Sequence, residues 1–266
     1  MSFLKITFST LLLSLLGTNI FGFGPCDRMK CKNRVLDDTL YVDKDYDCGY
    51  TRLIPNRNKI GYGGRNEHQK PVVQISNGAT LSNCIIGARK NYKAADGIHC
   101  VGNCKIKNVY HEKVGEDAIT LLGTDPNSQY IIDGGGAQNA NGKVVQFDGA
   151  GTLTIRNFHM KNVYAGIASC GNCLKQYRNR RINVENLIVE NLTKGQFIVG
   201  VNGNYGDKAT LKNITIKGKS KRQVYPCKIF EGNNQGKESP VRSMQPDKDH
   251  CILIDKLHIS ADDTKK

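Results

Sequence analysis

The sequence predicts an all-β protein, a single-stranded parallel β-helix, on three observations. A short phrase of branched residues around an amide or acid recurs along the chain. The segments between the phrases are rich in Gly and Asn. No stretch of comparable length carries helical periodicity. The phrases are Thr80–Ile86 (TLSNCII), Lys105–Val109 (KIKNV), Ile131–Asp133 (IID), Leu153–Phe158 (LTIRNF), Ile182–Val189 (INVENLIV) and Leu211–Ile216 (LKNITI). Their marker positions 83, 108, 133, 157, 186 and 213 are separated by 25, 25, 24, 29 and 27 residues. Such a period gives one rung per coil. A residue tolerant of left-handed backbone turns the corner, and its amide can bond to its counterpart one rung away.

The rhythm weakens after residue 216, so 217–249 is expected as a long loop before a last strand around 251–259. The N-terminal stretch through Cys48 is expected to cap the open end of the core.

The chain opens with Lys5, an apolar run from Phe8 to Leu16, and small residues at Gly22 and Gly24 ahead of Pro25. This layout predicts a signal peptide over 1–24 and a single domain over 25–266. The apolar run is too short for a bilayer, which needs about 20 residues. A secreted, extracellular protein without a membrane span is therefore expected. All ten cysteines follow the leader and their number is even, which in an exported chain reads as disulfides of unassigned connectivity. Zinc at Cys100/Cys104 or Cys170/Cys173 is the lesser reading.

The formal net charge is +14, or +13 without Lys5, which favours a polyanionic partner. With no nucleic-acid motif in an exported chain, an acidic extracellular polysaccharide is expected rather than nucleic acid. The basic stretches 175–181 and 217–222 suit such a partner or a solvated face.

Residues one period apart share a face of a solenoid, so spacing also locates candidate chemistry. Asp96 is followed 20 and 21 residues later by Glu116 and Asp117, and Lys143 comes 26 residues after Asp117. Three carboxylates on adjacent rungs beside a lysine suit calcium, which takes several hard oxygen ligands, next to a base.

Four phrases in register resemble the signatures of family 3 pectate lyases, most nearly those of plant-parasitic nematodes. They are Ala94–Cys100 (AADGIHC), Gly115–Ala118 (GEDA), Asp133–Ala137 (DGGGA) and Ser169–Gln176 (SCGNCLKQ). The resemblance implies a right-handed, pectin-lyase-like β-helix that acts as a monomer on polygalacturonate or pectin in plant cell walls. It implies calcium-dependent β-elimination at α-1,4 linkages. A base takes the weakly acidic C5 proton, and cations stabilise the charge developing toward the C6 carboxylate. Crowding by other cations makes a lysine easier to deprotonate for that task.

By the same resemblance Asp96, Glu116 and Asp117 are calcium ligands, Glu67 and Lys143 contact substrate, and Lys143 is the catalytic base. His99 is expected to be structural, packing beside Cys100. The chain departs from the family pattern at Gly142, where a carboxylate is usual, at Ala165, where a lysine is, and at Ala168, where an arginine is. Two readings follow: a working lyase, or a catalytically impaired homologue that acts as a secreted pectin-binding or effector protein. Returning Ala165 to lysine and Ala168 to arginine is expected to raise activity if these departures matter.

Overall fold

Inward columns of aliphatic side chains, one residue per coil, organise the molecule. Leu81, Ile106, Ile132, Ile155, Val184, Leu211 and Leu253 are consecutive register partners across parallel strands, and all but the last are at most 2% exposed. Each such burial contributes about 1.5–3 kcal/mol before the entropy of ordering the chain is charged against it. The computed structural model describes residues 23–260 apart from 28, 62, 65–68, 90, 95, 219 and 220. The expected leader lies outside these residues except for its last two positions, and Glu67 lies outside them entirely.

Among the described residues the strands form a parallel β-solenoid of about 6 turns with two long sheets, one of 12 strands and one of 9. The larger, here the ladder sheet, runs through Cys104–His111, Gln129–Gln138, Thr152–Lys161, Arg181–Glu190 and Lys208–Lys217. The smaller, here the cleft sheet, runs through Pro71–Ile75, Asp96–Cys100, Ile119–Leu121, Lys143–Phe147, Ala165–Ser169, Phe197–Asn202 and Tyr225–Phe230.

The expected asparagine ladder is present. Asn83, Asn108, Asn157, Asn186 and Asn213 all have φ between 51° and 56°. Their amides link Asn108 to Asn83 (3.2 Å), Asn186 to Asn157 (3.0 Å) and Asn213 to Asn186 (2.7 Å). At the Asp133 rung the left-handed residue is instead Gly134, at φ 74°, and the Asp133 carboxylate accepts from Asn157 Nδ2 at 2.8 Å. A second ladder joins Asn191 to Asn162 (3.0 Å) and Asn162 to Asn139 (3.4 Å), again with positive φ.

Three expectations are corrected. The stretch before Cys48 is a first coil, with Asn33–Leu36 and Leu40–Val42 paired in parallel to the next rung. The segment 217–249 is not one loop, because Tyr225–Phe230 adds a further parallel rung to the cleft sheet and Val241–Ser243 closes it antiparallel. Its pattern of a proline, a cysteine and aromatics lacks the Asn marker, so the period search passes over it.

The basic stretches are not uniformly solvated either. Arg180 is fully buried, bonded to Asp207 (3.1 Å) and to the carbonyls of Gly149 and Asp148 (2.8 and 3.2 Å). Lys221 is 6% exposed and donates to the Ser260 carbonyl at 2.7 Å. All ten cysteines pair, as 26–31, 48–84, 100–104, 170–173 and 227–251. Both short CxnC pairs are thus disulfides, not zinc sites.

Candidate active site

Strict alternation would send every second side chain of a strand outward. In the cleft sheet two inward residues stand in succession: Val144 and Val145 are both fully buried while Lys143 and Gln146 are partly exposed. Residues three apart therefore share the outer face. The register aligns the second outer column as Gln74, His99, Thr120, Gln146, Ala168, Gly200 and Lys228. The first carries Asp96, then Asp117, Lys143 and Ala165 on successive rungs.

Asp96, Glu116, Asp117 and Lys143 line one cavity of ≈ 110 Å³, with His99, Thr120, Gln146 and Asp148. The four spacing-based candidates thus meet in space, while Glu67, named by resemblance alone, lies outside the described residues. Asp96 and Asp117 are 4% and 3% exposed, and their carboxylates are held by short contacts. His99 Nε2 lies 3.1 Å from Asp96 Oδ2, and the Lys143 backbone N–H donates to Asp117 Oδ1 at 2.5 Å. Burial pushes the Asp117 carboxyl well above the usual carboxylate range; Lys143 opposes the shift and Glu116 adds to it. A buried carboxylate crowded by another is a group short of positive charge.

His99 does not pack beside Cys100 as expected. Cys100 points inward at 0% exposure, while His99 faces the cavity and orients Asp96. Gly142, the first departure, has a local reason. Its N–H donates to the Glu116 carbonyl at 3.1 Å, and a Cβ there would stand 2.3 Å from that oxygen and 2.8 Å from Asp117 Oδ1. The glycine lets the Lys143 rung close on the acidic one. Asp148, which spacing did not single out, joins the cavity because it follows the strand directly after Phe147. It also lies with Cys170 and Cys173, whose sulfurs are spent in a disulfide and offer no thiolate.

A wider cleft of ≈ 640 Å³ begins at Lys143, Gln146 and Asp148 and extends past Ala165, Ala168, Phe197, Lys228 and Phe230. Ala165, Ala168 and Phe197 form a small apolar cluster separate from the solenoid core, with Tyr225 and Phe230 against it.

The donor set suits calcium. Asp96, Glu116 and Asp117 offer hard oxygens from two adjacent rungs, and burial plus mutual crowding leaves Asp117 in need of a cation.

Comparison with known proteins identifies the family. The family model described as pectate lyase matches residues 28–237. The chain is 36% identical over 187 residues to a probable pectate lyase F of Aspergillus fumigatus, covering 70% of this chain and 74% of that protein. It is 39% identical over 215 residues to a probable pectate lyase E of Aspergillus clavatus, covering 80% and 78%. Its fold matches the catalytic domain of pectate lyase PelI from Erwinia chrysanthemi with a TM-score of 0.69 at 28% identity, over 86% of this chain and 100% of that one. It also matches PelI in complex with tetragalacturonic acid, with a TM-score of 0.67 at 27% identity, over 87% and 72%. Two outer columns of acids and lysine on a parallel β-helix, and relatives of this likeness over most of its length, place this chain in the pectate lyase family.

Proposed function

We propose that this protein is a calcium-dependent pectate lyase that cleaves α-1,4-linked polygalacturonate of plant cell walls by β-elimination. The observation that carries it is the convergence of Asp96, Glu116, Asp117 and Lys143 on one cavity that opens into a long cleft. Asp96, Glu116 and Asp117 would hold calcium, with His99 fixing the rotamer of Asp96. The ion, when bound, supplies positive charge to the substrate carboxylate and so stabilises charge developing beside C5.

Lys143 projects from the next rung with its backbone N–H tied to Asp117, which limits where its Nζ can go. In its neutral amine form Nζ accepts the C5 proton. The C5–H pair then forms the C4–C5 double bond, the C4–O bond breaks, and the glycosidic oxygen leaves with its electron pair and is protonated by water. The products are a shortened chain and a 4,5-unsaturated uronate. The low exposure of Asp96 and Asp117 keeps water from competing for the same contacts.

We assign Glu67 a substrate contact on its motif alone. The same reading takes 1–24 as an export leader and 25–266 as one monomeric, extracellular domain. It also puts the chain's kinship within family 3 beside the nematode enzymes whose phrases it shares.

The test is incubation with polygalacturonate and calcium, following ultraviolet absorbance of the unsaturated product. Absorbance that rises, and that a chelator abolishes, is expected. No absorbance from protein that still retains substrate in a pull-down would sink the lyase reading in favour of a binding protein.

A further inference from the structure

The cleft runs on from Lys143 over three rungs that offer small residues and aromatic rings but few charges. Ala165 and Ala168 occupy the first, Gly200 the second, and only at the third does a cation return, at Lys228. We infer that Lys228 is a second carboxylate-binding residue of this cleft, engaging an acidic sugar of the polygalacturonate some rungs from the one at Lys143.

Position supports this first. Lys228 is the register partner of Gly200, yet its Nζ lies 5.5 Å from the centroid of the Phe197 ring, on the preceding rung, and 5.3 Å from that of Phe230. The side chain therefore lies over the two rings, in the cleft that Ala168 also lines. The rings can close over residue 200 because it is glycine: a Cβ there would meet ring carbons of Phe197 and Phe230 at 2.8 Å each. The two rings stand edge to face, centroids 5.8 Å apart and planes at 78°, and form a pedestal for the ammonium.

The chemistry of the pedestal supports it second. Ring faces attract a cation without accepting hydrogen bonds through lone pairs. Lys228 has no carboxylate partner among the described residues, so its three N–H donors remain available. A lysine placed for fold stability would be expected to end on a carboxylate or a carbonyl, as Lys212 does on Glu185 at 2.9 Å and Lys221 does on Ser260. The small side chains of Ala165 and Ala168 leave the first rung low, the rings of Phe197 and Phe230 line the cleft beyond it, and the low polarity around Ala165, Ala168 and Phe197 strengthens the charge pair.

Geometry then defines the ligand class. Lys143 and Lys228 stand three rungs apart, about 14 Å at roughly 4.8 Å per rung. That separation exceeds one hexose, so the ligand bridging both lysines is an oligomer with carboxylates spaced along it. This deepens the lyase reading and rests on it for the identity of the sugar.

Equilibrium binding of tetragalacturonate in the presence of a chelator, together with kcat and KM on polygalacturonate with calcium, tests the inference on the full chain. Lys228→Gln is expected to weaken tetragalacturonate binding about tenfold or more and to raise KM, while Lys228→Arg keeps both near wild type. Lys212→Gln, on the opposite sheet, is the control and leaves both unchanged. Wild-type affinity and KM in Lys228→Gln would overturn the inference while leaving the lyase reading intact. Absent turnover in wild type, with binding that still depends on Lys228, would overturn the lyase reading and support the inference. A wild-type protein that neither binds nor cleaves overturns both.

Discussion

The two halves of the cleft share one sheet and one register but not one chemistry. From Asp96 to Lys143 the outer columns carry acids, a histidine and a lysine, with Asp96 and Asp117 buried and bonded to His99 and to the Lys143 backbone N–H. From Ala165 to Phe230 they are alanine, glycine and aromatics, with a single lysine leaning over them. The strands beneath are the same in both: branched residues point inward on every rung. A solenoid separates the fold, which the inner columns hold, from the chemistry of the outer columns, which can change rung by rung. On the proposed reading the acidic half supplies the reacting groups and the apolar half determines what the rest of the substrate meets.

The sharpest way to break this division is to remove the base. Lys143→Ala is expected to lower kcat by roughly 10²–10⁴-fold, with wild-type unfolding behaviour, because its side chain holds no rung together. Loss of only a few-fold would move the proton-abstracting role to another group and erase the distinction between the halves.

The interior beneath the acidic half also differs. His111 is buried at 1% exposure, neither ring nitrogen has a hydrogen-bond partner among the described residues, and Nδ1 lies 3.1 Å from where a Gly97 Cβ would be. Desolvation by burial lowers its pKa from 6.5 to about 3. The folded state therefore binds its proton less readily than the unfolded chain. Stability is untouched above pH 6.5 and falls as pH drops from there toward 3, by about 1.4 kcal/mol per unit. Between pH 6.5 and 4.5 the cost is about 2–3 kcal/mol. His111→Leu should remove that loss, read as a shallower fall in urea midpoint with acidification. Comparing the two proteins cancels groups such as Asp117 that titrate in both. Parallel pH profiles would show that His111 is hydrated or partnered.

His99 sharpens the comparison on the metal side. It holds Asp96 from the second outer column, so His99→Leu should weaken calcium binding about 10–100-fold, measured by calorimetry, while leaving tetragalacturonate binding without calcium unchanged. Unchanged calcium affinity would return His99 to a packing role.

How much of this was legible follows from what repeats. The inner columns and the asparagine ladder recur every coil, so the period exposed them, and the acids at 96, 116 and 117 fell into line with Lys143. The second ladder at Asn139, Asn162 and Asn191 keeps a similar interval but sits among unlike neighbours, so no phrase announced it. Lys228 was not legible because its strand lies past the last Asn marker and because its role depends on a lean toward the preceding rung. Nor could sequence show Arg180 as an interior ion pair, since a run of cations around 175–181 looks the same whether solvated or buried. The two departures at 165 and 168 were visible as substitutions, but not that Phe197 and Gly200 accompany them.

That accompaniment decides what reversal would do. Ala168 is 3% exposed against Phe197, and its register partner Gly200 is roofed by two rings. An arginine at 168 would have to displace the Phe197 ring or push out past it, and would place a guanidinium beside the ammonium of Lys228. Overpacking of this kind costs about 1–3 kcal/mol. The sequence alone suggested that Ala165→Lys and Ala168→Arg would raise activity if these departures matter; the structure predicts that Ala168→Arg lowers the unfolding midpoint and gives little or no gain in kcat/KM. Pairing it with Phe197→Ala opens the space, and the double variant should recover stability relative to Ala168→Arg alone. Non-additivity of that sign, measured in a double-mutant cycle, would establish that the apolar half is one packed unit. A stable, more active Ala168→Arg would show that the alanines are simple losses and that the cleft beyond Lys143 keeps room for the cation they replaced.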